Sequence, residues 1–162
     1  MTQSLNEGQR AAERFVEGMG QLFEQDGFAR IGGRILGHLM LQLEPQSLDA
    51  LAADLQVSKA SVSTNTRMLE GMGALERVTR PGDRRDYYQV ADLMHERMLE
   101  LRLARFRATR ELLHEGMRSG AAGSAVARER MSSFADFFEY MEQAIKSTRT
   151  QWQHARSQEA ER

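Results

Sequence analysis

The chain has 162 residues, 28% charged and 41% hydrophobic, the composition of one compact domain or of one domain with helical extensions. It contains no cysteine, which excludes disulfides, thiol nucleophiles and thiolate metal sites, and its formal charge of −1 lacks the basic surplus common in nucleic-acid-binding domains. No apolar run is long enough to cross a bilayer and residues 1–9 are polar rather than of signal-peptide type, so a soluble, cytoplasmic protein is expected.

The only two prolines, Pro45 and Pro81, fall between periodic segments, which favours a mostly helical chain. In residues 7–25, Ala11, Phe15, Met19, Leu22 and Phe23 recur at helical spacing until Asp26-Gly27 breaks the pattern. Residues 28–43 form a second helical stretch that carries Gly32, Gly33 and Gly37. Glycine costs helix stability, so three of them in one helix point to close approach of a neighbouring helix. Ser47 is the N-cap candidate of a short helix over 48–55, with Asp49 in the first turn where the helix dipole favours an acid.

After the turn at Gln56-Val57, Ser58 is the N-cap candidate of a helix running to about Met72, where Gly73 can supply a left-handed residue. The period then becomes extended. Residues 76–80 and 85–90 read as two strands joined by Pro81-Gly82-Asp83-Arg84, a turn in which fixed φ precedes permissive φ. Residues 92–118 are helical again, with Leu93, Leu99, Leu103, Phe106 and Leu113 at apolar positions. A small-residue break at 119–124 precedes a last long helix with Met131, Phe134, Phe138, Met141 and Ile145, and the polar tail from Gln153 is expected to fray.

Helix, short turn, helix and hairpin is the order of a winged helix-turn-helix, whose second helix enters the major groove of DNA because that groove admits a helix. In the helix after Ser58, the positions of Val62, Asn65, Leu69 and Met72 suit inward packing. The opposite side presents Lys59, Ala60, Ser63, Thr64 and Arg67, with Ser61 near the boundary, all small or hydrogen-bonding groups able to approach base edges or phosphates. Residues 77–85 hold Arg77, Arg80, Arg84 and Arg85 against one acid, Asp83, a local basic density that the net charge conceals. An arginine tip of this kind suits a narrow minor groove. The plainer reading makes the serines and threonines caps and the hairpin a solvated turn with a weak Asp83–Arg pair.

The run Val57-Ser58-Lys59-Ala60-Ser61-Val62-Ser63-Thr64-Asn65-Thr66-Arg67, continuing through Leu69-Glu70 and Gly73, resembles the recognition helix of the GbsR-like branch of the MarR superfamily. Gly82-Asp83-Arg84-Arg85-Asp86-Tyr87-Tyr88 resembles that branch's wing, and Gly33-Arg34-Ile35-Leu36-Gly37 its preceding helix; together they span about residues 28–90. The resemblance implies a mostly α fold with a small β-hairpin wing, and N- and C-terminal dimerisation helices around the winged helix-turn-helix. The corresponding division is residues 1–27, 28–90 and 91–156, with a polar tail at 157–162. It implies a homodimeric transcriptional regulator, a repressor as the first choice, binding a near-palindromic operator in double-stranded DNA. Ser58, Lys59, Ser61, Ser63, Thr64, Arg67, Arg84 and Arg85 are the candidate DNA-binding residues. In the wider superfamily the position of Thr64 is often arginine, so strong guanine reading there is not expected.

Phe134, Phe137, Phe138, Tyr140 and Met141 cover more than one face of the last helix, which a subunit partner would bury. Members of the GbsR-like branch are associated with choline or related osmolytes, which makes a small-molecule effector of that class a possible partner. An aromatic stripe at helical spacing is more often core than cage, so no effector residue is assigned. His38, His95, His114 and His154 show no metal-ligand spacing, and no phosphate-loop or nucleophile-elbow signature is present. No catalytic residue, cofactor or metal is expected. The alternative from another class is a winged helix used for protein docking, without sequence-specific DNA binding.

Overall fold

The computed structural model describes residues 2–160. Its order is α1 (Thr2–Gln25), α2 (Arg30–Met40), β1 (Gln46–Ser47), α3 (Leu48–Leu55), α4 (Lys59–Gly71), β2 (Leu75–Arg80), β3 (Asp83–Val90), α5 (Met94–Arg118) and α6 (Ala125–Ala160). Two compact units divide the chain, one ending at Arg97 and the other beginning at Met98. The fold is mostly helical with a small antiparallel sheet, as the sequence pattern predicts.

In the first unit, α1 and α2 meet where α2 has no side chains to keep them apart. A Cβ at Gly33 would clash with the backbone of Met19, and one at Gly37 would press on Met19 and Val16. Ile35, Leu36 and Leu39 fill the other side of α2, and with Leu51, Leu55, Val62, Leu69 and Leu75 they make the core. Each such side chain contributes roughly 1.5–3 kcal/mol by leaving water. Arg34 reinforces the junction, its guanidinium 2.7 Å from Glu17 of α1 while it donates to the Leu55 carbonyl at the end of α3.

The sheet has the order β1-β3-β2. The sequence pattern does not announce β1: two residues are too few to show a period, and they become a strand because Gln46 and Ser47 pair with Tyr88 and Tyr87 of β3. The hairpin also differs from its expected form. Asp83 and Arg84 are not in the turn but in β3, and only Pro81 and Gly82 connect the strands, with Gly82 at φ +80°. Arg80 pairs with Asp83 while Thr79 pairs with Asp86, so Arg84 and Arg85 form a bulge with no residue opposite them.

Several helix bounds differ from the sequence pattern, and α1 already begins at Thr2. α2 is confined to Arg30–Met40 rather than 28–43, and α5 starts at Met94 because Leu93 takes a left-handed φ of +53°. α6 continues to Ala160, so the polar segment from Gln153 does not fray but is helical, with no proline or glycine to stop it and Ser157 bonded to the Gln153 carbonyl. Glu161 and Arg162, the end of that tail, lie outside the described residues.

In the second unit α5 and α6 are joined through Phe106, Phe138 and Phe134, with ring centroids 5.2 Å apart for Phe106–Phe138 and 4.6 Å for Phe134–Phe138. Beside them Glu142 is 4% exposed. Lys146 (2.8 Å), Arg107 (2.7 Å) and Arg110 (3.5 Å) surround its carboxylate. Hydrogen bonds from Lys146 and then Arg107 outweigh the cost of burial and hold its pKa at about 2. The aromatic stripe is only partly core, for Phe134, Phe137 and Tyr140 remain 49%, 51% and 70% exposed.

Candidate nucleic-acid interface

The helix-turn-helix is built by two serine caps. Ser47 Oγ accepts from the Ala50 N–H and Ser58 Oγ from the Ser61 N–H, each at 3.2 Å, starting α3 and α4. Between them Gln56 adopts a left-handed φ of +55°, which turns the chain within a few residues. At the other end of α4, Gly73 at φ +76° ends the helix, in keeping with the sequence pattern.

α4 is two-sided. Val62, Leu69 and Thr66 are fully buried and Asn65 nearly so. The two polar members satisfy themselves within the helix: Thr66 Oγ1 donates to the Val62 and Ser63 carbonyls, and Asn65 Nδ2 to the Ser61 carbonyl at 2.9 Å. Thr66 does not stand out in the sequence as an inward residue, because its hydroxyl disguises a β-branched side chain that packs like valine. The outer side carries Lys59, Ala60, Thr64 and Arg67, all exposed, with Ser61 and Ser63 half-buried at its margin. Ser58 is exposed beside them, its hydroxyl committed to the cap. Arg67 lies along the helix, its Nε donating to the Ser63 carbonyl at 3.1 Å.

The hairpin sorts its arginines. Tyr87 is buried, with the guanidinium of Arg80 4.4 Å from its ring centroid. Its hydroxyl donates to Asp83 at 2.8 Å and accepts from Arg85 at 2.9 Å. Arg85 completes the triangle by donating its Nε to the Asp83 carboxylate and its backbone N–H to Asp83 Oδ1. These bonds hold the Asp83 carboxyl well below the usual range and raise the Arg85 guanidinium further. Arg80 reaches Glu44 (3.3 Å) and Arg77 reaches Asp86 (3.3 Å). Lys59, on α4, is likewise paired, 2.7 Å from Asp49. Arg84 alone of the hairpin arginines has no hydrogen bond or ion pair among the described residues, and it is exposed.

Thus the eight candidate residues lie on the exposed side of α4 and its cap, and in the bulge of the hairpin. The residues that sequence reasoning misses are the partners of the cations here: Asp49 beside Lys59 and Tyr87 beside Arg85 among the candidates, and Glu44 beside Arg80 and Asp86 beside Arg77 among the other hairpin arginines. The spacing of Asp83, Arg85 and Tyr87 at every second position is a usable signal, since alternate residues of a strand share a face. Glu44 is 36 residues from Arg80 and gives none.

Among the described residues no group of three or more His, Asp or Glu side chains is placed to hold a metal, and no helix is long and apolar enough to cross a membrane. The family model described as MarR family matches residues 38–87, from the end of α2 to Tyr87 of the hairpin. The chain is 33% identical over 149 residues to the HTH-type transcriptional regulator MmpR5 of Mycobacterium tuberculosis, covering 88% of this chain and 90% of that protein. A crystal structure described only as a transcriptional regulator superposes with a TM-score of 0.79 at 30% identity, covering 89% of this chain and 99% of the other. On this sequence relationship and shared fold, the chain belongs to the MarR family of winged-helix transcriptional regulators.

Proposed function

We propose that the protein is a homodimeric repressor of the GbsR-like type that binds a near-palindromic operator, α4 reading the major groove and the hairpin the adjoining minor groove. The observation that carries this reading is the exposed outer side of α4, where Lys59, Ala60, Thr64 and Arg67 offer small or hydrogen-bonding groups without an obstructing apolar residue. Ser58, Ser61 and Ser63 border that face, and Arg84 and Arg85 act from the wing. Thr64 in place of an arginine leaves base reading to short side chains, and gives Lys59 and Arg67 mainly phosphate-positioning roles.

Dimerisation is assigned to residues 1–27 and 91–156. The half-exposed Phe134 and Phe137 and the exposed Tyr140 support it, because a patch of large rings on one helix is the kind of surface a subunit partner covers. The protein works in the cytoplasm as a regulator rather than a catalyst, and choline and related osmolytes are the first effectors to try, on the resemblance to the GbsR-like branch.

Selection from a randomised duplex pool, followed by a salt series on the winning sequence, tests the reading. The expected result is an inverted repeat with half-sites about one helical turn apart and an affinity that falls steeply with salt. Failure to enrich any sequence, with and without choline and betaine, overturns it.

A further inference from the structure

We infer that Ala60 and Thr64 are specificity-determining residues that select thymine, their methyl groups meeting the C5-methyl groups of two thymines in the major groove of each half-site. The inference rests on the function proposed above, with α4 as the reading helix, and adds the class of half-site that it takes.

The side chains that identify a base through directed hydrogen bonds are missing from the reading end of α4. Guanine is read best by arginine, adenine by asparagine or glutamine, and cytosine by a carboxylate. α4 contains one arginine, one asparagine, one acid and no glutamine. Asn65 is buried, its amide bound to the Ser61 carbonyl. Arg67 and Glu70 lie in the second half of α4, whereas a reading helix meets base edges with its N-terminal residues. Lys59 is at that end, but its ammonium lacks the planar fork of arginine and lies 2.7 Å from Asp49.

The side chains that remain there are short. Ser61 and Ser63 sit at the margin of the face, and a hydroxyl both donates and accepts, so it bonds several base edges without telling them apart. Ala60 and Thr64 are exposed and four residues apart, which puts them one above the other on the outer face of α4. Each carries a methyl group, and thymine is the base that presents a methyl group in the major groove. Contact takes both methyls out of water, which favours thymine over uracil by about three- to fivefold for each contact. Four residues of helix rise about 6 Å, close to two steps of the duplex at about 3.4 Å each. The two thymines are therefore expected about two base pairs apart.

The experiment replaces thymine by uracil in the selected operator, one position at a time and in both half-sites together. Uracil pairs as thymine does and lacks only the C5-methyl. At two positions per half-site it is expected to weaken wild-type binding about ten- to twentyfold, because the dimer loses the contact twice. At the other thymines it should change nothing. Thr64→Ser removes one protein methyl and keeps the hydroxyl, and Ala60→Gly removes the other. Each variant should bind the thymine operator about ten- to twentyfold more weakly and become indifferent to uracil at one of the two positions. Thr64→Val keeps a methyl without the hydroxyl and should retain the uracil response. An operator that tolerates uracil throughout, or a uracil response that survives both Thr64→Ser and Ala60→Gly, overturns the inference while leaving the proposed function standing. If the selection enriches no duplex, the function itself fails and this inference with it.

Discussion

Gly33 of α2 lies directly against the backbone of Met19 in α1, so close that the Cβ of any other residue would overlap the Met19 carbonyl. A flexible side chain could swing away, but a backbone carbonyl inside a helix cannot move without shifting the helix. Gly33→Ala is therefore expected to destabilise the protein by about 1–3 kcal/mol or more, read as a lower urea midpoint with the slope unchanged. Gly71 is the contrast. A Cβ there would meet nothing within 4 Å, so Gly71→Ala should stabilise α4 by roughly 0.5–1 kcal/mol through helix propensity alone. Equal effects of the two substitutions would contradict this account of the α1–α2 contact.

The same contact shows what the amino-acid pattern can disclose. Three glycines in one amphipathic helix predict close helix packing, and the periods of 3.6 and 2 locate α4 and the hairpin. Serines 47 and 58 predict their caps because an N-cap needs only residues three positions apart. What the pattern does not disclose depends on partners far along the chain or on backbone irregularity. β1 exists through its pairing with β3, and the bulge at Arg84 and Arg85 alters which residues are opposed. The carboxylates that pair with the cations of α4 and the hairpin come from α3, the loop after α2 and β3 itself. Their charges are visible in the sequence, but their proximity is not.

Arg84 and Arg85, neighbours in the bulge, should respond differently to removal. Arg84 has no partner within the described residues, so Arg84→Ala should leave the melting temperature unchanged. It should weaken operator binding about five- to tenfold and flatten the salt slope by roughly 0.9. Arg85 holds Asp83 and Tyr87 in place, and Arg85→Ala should lower both affinity and thermal stability. A loss of stability in Arg84→Ala equal to that in Arg85→Ala would refute the division of roles.

The exposed rings of α6 give a prediction about assembly. Phe137 is stacked on Phe134 with their centroids 6.3 Å apart, and about half of each ring is exposed. Placing a carboxylate there leaves the protomer's own core intact but makes burial against a second copy costly. Phe137→Glu should shift the sedimentation coefficient from that of a dimer to that of a monomer at micromolar protein, with helical content retained. Operator affinity should fall by at least about tenfold, since the two half-sites would be bound separately. A Phe137→Glu protein that sediments as wild type would remove this face from the dimer interface.

Glu142 supplies the pH dependence. Its pKa is about 2 in the folded chain, below the ordinary carboxylate value of 4.5, because Lys146 and Arg107 bond the charged form. A depressed folded pKa means that the ion cluster stabilises the protein fully above the unfolded value, and that this contribution fades as pH falls from about 5 toward 2. Glu142→Gln removes the charge but keeps an acceptor, and should cost on the order of 1–3 kcal/mol near pH 7. The difference between wild type and variant should then shrink steadily on acidification and nearly vanish close to pH 2. Urea unfolding of both proteins at matched concentration and several pH values measures it. A difference that stays constant from pH 7 to pH 3 would mean that ionisation of Glu142 does not stabilise the α5–α6 pair.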